Sequence, residues 1–175
     1  MRRAVYPGSF NPPTIGHVAI VEAAIQQHQL ASIDLTISEV ALAKPLIERP
    51  SLEERIRVLE ASFSKIPQVN IVQTGLQLIA DIAEGYDLVV MGADKWAQIH
   101  DENFYDDVDH MHECISRLPQ VAVAPRGEIF VPAEILLEVP EKIAAISSSL
   151  AREINFEWMT EAAQNFSNET GSWSS

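Results

Sequence analysis

A single cysteine, Cys114, rules out any internal disulfide framework and fits a reducing compartment. Basic residues are also scarce: 12 lysines and arginines stand against 25 aspartates and glutamates, for a formal net charge of −13. That balance excludes a broad nucleic-acid surface, which needs a basic stripe to neutralise phosphates. No apolar run approaches the ~18–20 residues needed to span a bilayer. Met1-Arg2-Arg3 leads straight into a strand pattern without an apolar leader. A cytoplasmic protein with no nucleic-acid or membrane partner is therefore expected. Internal repeats are absent, and 175 residues, 47% of them apolar, favour one domain with a real core.

What is present is a strand–helix rhythm. Ala4-Val5-Tyr6 reads as a first strand, followed by a helix with Val18, Val21 and Ile25 on one face. Ile33–Ile37 and Val69–Val72 read as further strands, and Tyr86–Met91 is the clearest of all. Ser51 and Glu54 form a capping box ahead of a helix whose inward stripe would be Leu52, Ile56, Leu59 and Phe63. Thr74-Gly75-Leu76-Gln77 should open another helix through Leu76, Ile79 and Ala83. Between Lys95 and Arg117 the chain is polar and acidic, with two short helices expected about Asp106-Asp107. Val121–Ala124 resumes as a strand, and Ile135-Leu136-Leu137 is a candidate short one. A last helix is expected from near Ser147 through Ile154 or Trp158. From Asn165 the composition turns to Ser, Asn and Gly, which reads as a flexible polar tail over 165–175 after a domain over 1–164.

Such alternation builds a doubly wound α/β sheet with helices on both faces and right-handed crossovers. Ligands of these sheets sit beyond the carboxyl ends of the strands, where the strand order reverses. Gly8-Ser9, Gly92-Ala93-Asp94 and Pro125-Arg126 are the chemically loaded strand ends. The first opens Gly8-Ser9-Phe10-Asn11-Pro12-Pro13-Thr14-Ile15-Gly16-His17, a strand–loop–helix that aims backbone N–H groups at one point, as a phosphate requires. It lacks the Gly-Lys-Ser/Thr of a Walker loop and the G-x-G-x-x-G of a dinucleotide fingerprint. A second cluster, Asp101, Asp106, Asp107, Asp109, His110, His112 and Cys114, fits no zinc spacing. It reads as acidic surface, and no protein-bound metal is expected.

Gly8-Ser9-Phe10-Asn11-Pro12 with Thr14-Ile15-Gly16-His17 resembles the signature of the nucleotidyltransferase superfamily that carries a T/H-x-G-H motif. Ile146-Ser147-Ser148-Ser149-Leu150-Ala151-Arg152 is similar to its second motif, I-S-S-x-x-x-R. The resemblance covers most of residues 3–154 and implies a Rossmann-like five-stranded sheet in the order 3-2-1-4-5. It also implies transfer of AMP from ATP, with Mg²⁺, to a phosphate-bearing acceptor with loss of pyrophosphate. Gly92-Ala93-Asp94 and Arg126 are similar to nicotinate or nicotinamide mononucleotide adenylyltransferases, so a pyridine nucleotide is the expected acceptor and NAD biosynthesis the expected setting. Ser51-Leu52-Glu53-Glu54-Arg55 and Gly75-Leu76 look like phosphopantetheine adenylyltransferase. That family's basic loop is replaced here by Met91–Lys95, and the first family's closing aromatic and proline segment is missing. A non-catalytic nucleotide-binding paralogue is the third reading.

The same resemblance implies roles at matching positions. His17, Thr14 and Arg152 would act on the triphosphate, and Lys44 would bind the acceptor phosphate. Gly8, Ser9, Phe10, Gly16, Gly92, Asp94, Ser147, Ser148 and Ser149 would bind the nucleotide. Trp96 could stack on a pyridine or adenine ring, and Arg126 would meet the substrate. Arg55 reads instead as part of a structural ion pair. Partners are then small nucleotides, and the sequence leaves a homo-oligomer open.

Overall fold

The computed structural model describes residues 1–38 and 50–173. Its strands are β1 (Arg3–Gly8), β2 (Ser32–Ile37), β3 (Val69–Gln73), β4 (Leu88–Gly92) and β5 (Gln120–Ala124). All pairings are parallel, in the order β3-β2-β1-β4-β5, so the order reverses between β1 and β4.

Period-2 alternation sorts β1 between two apolar layers. Ala4 and Tyr6 join Val21, Leu35, Leu59 and Phe63 on one face. Val5 joins Ile79, Val89, Met91, Ile99 and Val123 on the other. The first layer is covered by α1 (Ile15–His28) and α2 (Leu52–Ser62), the second by α3 (Ile79–Ile82) and α4 (Ala93–Ile99). Burying each Leu, Ile or Val of these layers contributes roughly 1.5–3 kcal/mol.

The start of α2 is the capping box read from the sequence. Ser51 Oγ accepts from the Glu54 N–H at 3.2 Å, and Glu54 Oε2 accepts from the Ser51 N–H at 2.8 Å. Its inward face differs from the expected stripe: Arg55, Val58 and Leu59 are buried, while Leu52 and Ile56 are only half-buried. The helix is rotated because Arg55, 0% exposed, reaches inward and donates to the Ser9 carbonyl at 3.1 Å.

Other expectations are corrected locally. The third helix is a single turn at Ile79–Ile82, and Leu76 stands 48% exposed outside it, where Gly75 and Thr74 leave the chain in loop geometry. Ile135-Leu136-Leu137 makes one bridge, Leu136 with Val123, rather than a strand. The last helix divides into α6 (Ser148–Glu153) and α7 (Glu161–Thr170), with α5 (Val108–Ser116) earlier in the chain. The polar stretch from Asn165 is not a loose tail as far as Trp173. Thr160 caps α7 by accepting from the Ala163 N–H at 3.2 Å, and Trp173 is buried with Val58, Ala151, Met159 and Ala163. No helix among the described residues is long and apolar enough to cross a membrane.

Candidate functional site

A cavity of about 620 Å³ opens at the carboxyl ends of β1, β4 and β5, at the reversal of strand order. The loop after β1 supplies Gly8, Ser9, Phe10, Thr14, Gly16 and His17 to its lining. The end of β4 supplies Gly92 and Asp94, the end of β5 supplies Arg126, and Ser147, Ser148 and Ser149 close another side. Two motifs about 130 residues apart in the chain thus face one space.

Thr14-Ile15-Gly16-His17 is the N-terminus of α1, with Thr14 as its cap. The Thr14 hydroxyl accepts from the His17 N–H at 3.3 Å. In return His17 Nδ1 accepts from the Thr14 N–H at 2.9 Å and lies 3.0 Å from Thr14 Oγ1. This is a capping box with histidine where glutamate is usual. Because Nδ1 is an acceptor, the proton of the neutral ring sits on Nε2, which makes Nε2 a hydrogen-bond donor.

Aromatic packing fixes the ring. Phe10 lies 5.0 Å from the His17 ring and 5.5 Å from that of Tyr6, both edge-to-face. Phe10 has left-handed backbone, φ 45°, which folds its ring back under Gly8. A Cβ at Gly8 would lie 2.9 Å from Phe10 Cε2 and Cζ, so a side chain there would have to displace this ring. At Gly16 a Cβ would come within 3.1 Å of Ile146 Cγ2, which shows how tightly α1 meets the serine segment. Burial pushes the Tyr6 phenol far above its ordinary range, so it lines the cavity as a neutral hydroxyl.

Across the cavity Arg126 Nε pairs with Asp94 Oδ2 at 2.9 Å, and its Nη1 donates to the Ile146 carbonyl at 3.3 Å. Arg126 thus ties β4's end to the residue that precedes the three serines. Ser147 caps α6, accepting from the Leu150 N–H at 3.1 Å, and Ser148 Oγ donates to the Pro12 carbonyl at 2.7 Å. Ser149 lines the cavity beside them.

Not every expected residue arrives. Arg152 is not in the lining; its guanidinium donates to the Asn11 carbonyl behind the loop. Trp96 is also outside the lining, half-buried against the second apolar layer with its ring 4.3 Å from His100, so the stacking role expected for it is not supported here. Lys44 lies outside the described residues. Conversely, Lys95, Gln98 and Asp101 line the cavity, with the Lys95 ammonium donating to Gln98 Oε1. Lys95 and Gln98 stand three apart on α4, a spacing that shares a helix face and that the acidity of the region obscured, and Asp101 follows just past the helix end.

Of the carboxylates in the lining, Asp94 is engaged by Arg126, and Asp101 accepts from the Asn103 N–H at 3.0 Å. His110, Glu113 and Cys114 approach one another on α5, and burial pushes the Cys114 thiol up.

A parallel sheet in this order, with hydroxyls, an imidazole and a guanidinium gathered at its switch point, defines a Rossmann-like nucleotidyltransferase fold. The model of the cytidylyltransferase-like family matches residues 5–154, and the chain belongs to that family. A probable nicotinate-nucleotide adenylyltransferase of Sulfurimonas denitrificans is 30% identical over 155 residues, covering 81% of this chain and 80% of that protein. The phosphopantetheine adenylyltransferase of Carboxydothermus hydrogenoformans is 30% identical over 154 residues, covering 88% and 83%. Plasmodium falciparum nicotinic acid mononucleotide adenylyltransferase complexed with APC superposes with a TM-score of 0.73 at 14% identity, covering 98% of this chain and 96% of that one. That likeness shows the shared fold.

Proposed function

We propose that this chain is an adenylyltransferase that transfers AMP from ATP to nicotinate mononucleotide and releases pyrophosphate. The observation that carries the reading is the shared cavity, in which His17, Ser147, Ser148 and Ser149 face Asp94 and Arg126. Names of relatives support the same chemistry, and the one from Sulfurimonas denitrificans supports this acceptor.

An acceptor phosphate oxygen attacks the α-phosphorus of ATP; a new P–O bond forms, the bond to the β-phosphate oxygen breaks, and pyrophosphate leaves with that electron pair. No residue becomes covalently attached. The protein holds two polyanions together and spreads the charge that builds at the α-phosphate. His17 donates through Nε2–H to that phosphate. The Ser147 and Ser149 hydroxyls and the N–H groups of Ser147–Ser149 hold the β- and γ-phosphates, the Ser148 hydroxyl being committed to the Pro12 carbonyl, and Asp94 takes nucleotide hydroxyls while orienting Arg126. Gly92 leaves the strand end open, since a Cβ there would meet nothing within 4 Å. Lys44 receives the acceptor phosphate. Mg²⁺ enters as part of the nucleotide substrate, bound to its phosphates.

Phosphopantetheine is the second acceptor, favoured by the Carboxydothermus hydrogenoformans relative and by the Ser51–Arg55 segment. Pyrophosphate release is to be measured with ATP and each acceptor in turn. Nicotinate mononucleotide should give the highest kcat/KM; preference for phosphopantetheine would reassign the acceptor, and no product with any acceptor would favour a binding protein.

A further inference from the structure

The backbone carbonyls of the loop after β1 are nearly all claimed by distant donors. Ser9 O accepts from Arg55 at 3.1 Å, Pro12 O from Ser148 at 2.7 Å, and Pro13 O from the Thr160 N–H at 3.1 Å. Asn11 O accepts from Arg152. A carbonyl bonded to Arg55, Arg152 or Thr160 is turned toward a group outside the cavity lining. This matters for a polyanion site, where a carbonyl oxygen repels what an N–H attracts.

The Asn11 side chain is held by the segment 159–173. Met159 pairs with Thr14 in an antiparallel bridge, and Ser62 Oγ meets Thr160 Oγ1 at 2.7 Å. α7 then ends at Gly171, whose left-handed φ of 73° turns the chain so that its N–H reaches the Ser167 carbonyl at 2.8 Å. Ser167 Oγ also donates to the Ser172 carbonyl. The turn returns Trp173 against Phe166, ring centroids 5.4 Å apart, with 7% of Trp173 exposed. Its indole Nε1–H donates to Asn11 Oδ1 at 2.5 Å.

We infer that Trp173 is a positioning residue for the nucleotide site: its indole N–H and Arg152 grip Asn11 at side chain and carbonyl, and so keep the Asn11 carbonyl turned away from the bound phosphates. The role in catalysis rests on the reading of this loop as a triphosphate site. The grip itself does not.

Trp173→Phe separates the two, because it keeps the ring in its apolar cluster and removes only the donor, whereas alanine would open a cavity. Amide hydrogen exchange of the loop segment 9–14 should rise ~5–10-fold, the worth of about one hydrogen bond. The melting temperature should stay within a few degrees, since the ring packing is retained. Asn11→Ala should have the same effect, and the double variant should be no worse than either single one. In the wild-type background that transfers AMP, Trp173→Phe should raise KM for ATP by about the same factor while kcat holds within about twofold. Unchanged exchange in the loop, or effects of the two substitutions that multiply in the double variant, would overturn the inference. An inactive wild-type chain would count against the proposed function alone, because loop exchange is read without turnover.

Discussion

His17 Nδ1 accepts a hydrogen bond from the Thr14 N–H at 2.9 Å while the His17 N–H returns one to the Thr14 hydroxyl. The exchange does two things at once: it caps α1, and it commits the imidazole proton to the nitrogen away from Thr14. A motif of threonine and histidine three residues apart is thus explained by helix physics as well as by phosphate binding. Nitrogen-15 NMR of the imidazole should find a bare Nδ1 and a protonated Nε2 at neutral pH. Thr14→Ala should cost ~1 kcal/mol through the lost cap, with Thr14→Ser restoring most of it. A ring protonated on Nδ1 would contradict the assignment.

Gly8 is constrained by a neighbouring ring. Gly8→Ala should destabilise by ~1–3 kcal/mol, because Phe10 must leave its place under the loop. As Phe10 packs on His17, affinity for ATP should fall in parallel, measured by titration calorimetry beside a thermal melt. Wild-type affinity and stability together would show that the ring yields freely.

Arg55 links α2 to the site through the Ser9 carbonyl while fully buried. Arg55→Met keeps apolar bulk and removes the charged donor. It should lower unfolding stability by ~1.5–3 kcal/mol, read from the urea midpoint, the range for a hydrogen bond to a charged group. An unmoved midpoint would mean that this buried contact adds nothing.

Alkaline pH should loosen the far side of the sheet. Burial, then the hydrogen bond from the Tyr86 hydroxyl to Asp34 at 2.6 Å, push Tyr86 up to about 12, with Arg3 opposing. The unfolded phenol titrates near its usual value of 10. Between those pH values the folded state therefore holds the proton more tightly, so stability is full below pH 10 and is lost as pH rises toward 12. Tyr86→Phe should make that limb shallower in urea titrations across this range. Tyr6 and Tyr105, also raised by burial, would supply the remainder. An identical alkaline limb in the variant would rule out the Tyr86 contribution.

Much of this was legible because local signals agreed with the global fold. Tyr86–Met91 is a bounded apolar run and Ile33–Ile37 alternates apolar residues, both as a buried strand would, and Ser51 with Glu54 announces a helix start. What stayed hidden depends on distant partners. Arg55 reads as part of an ion pair until the Ser9 carbonyl is in place, and its inward turn rotates Leu52 and Ile56 off the core. The segment Asn165–Trp173 is polar and reads as a tail; its order comes from Asn11 and the α2 face, neither of which is a local signal. Arg152 matched its motif, but no spacing rule could say that its guanidinium would take the Asn11 carbonyl. Trp96 lies outside the cavity lining for a simpler reason: its neighbours at i−1 and i+2, Lys95 and Gln98, share the helix face toward the cavity, which turns Trp96 to the apolar layer.

Phosphorus NMR of ATP with nicotinate mononucleotide, run on the wild-type chain and on His17→Ala, tests the core of the account. The wild type should convert both into dinucleotide and pyrophosphate, and the variant, folded and melting only a few degrees lower through the lost cap, should do so ~10²–10³ times more slowly. Equal rates from the two proteins would contradict the role assigned to His17.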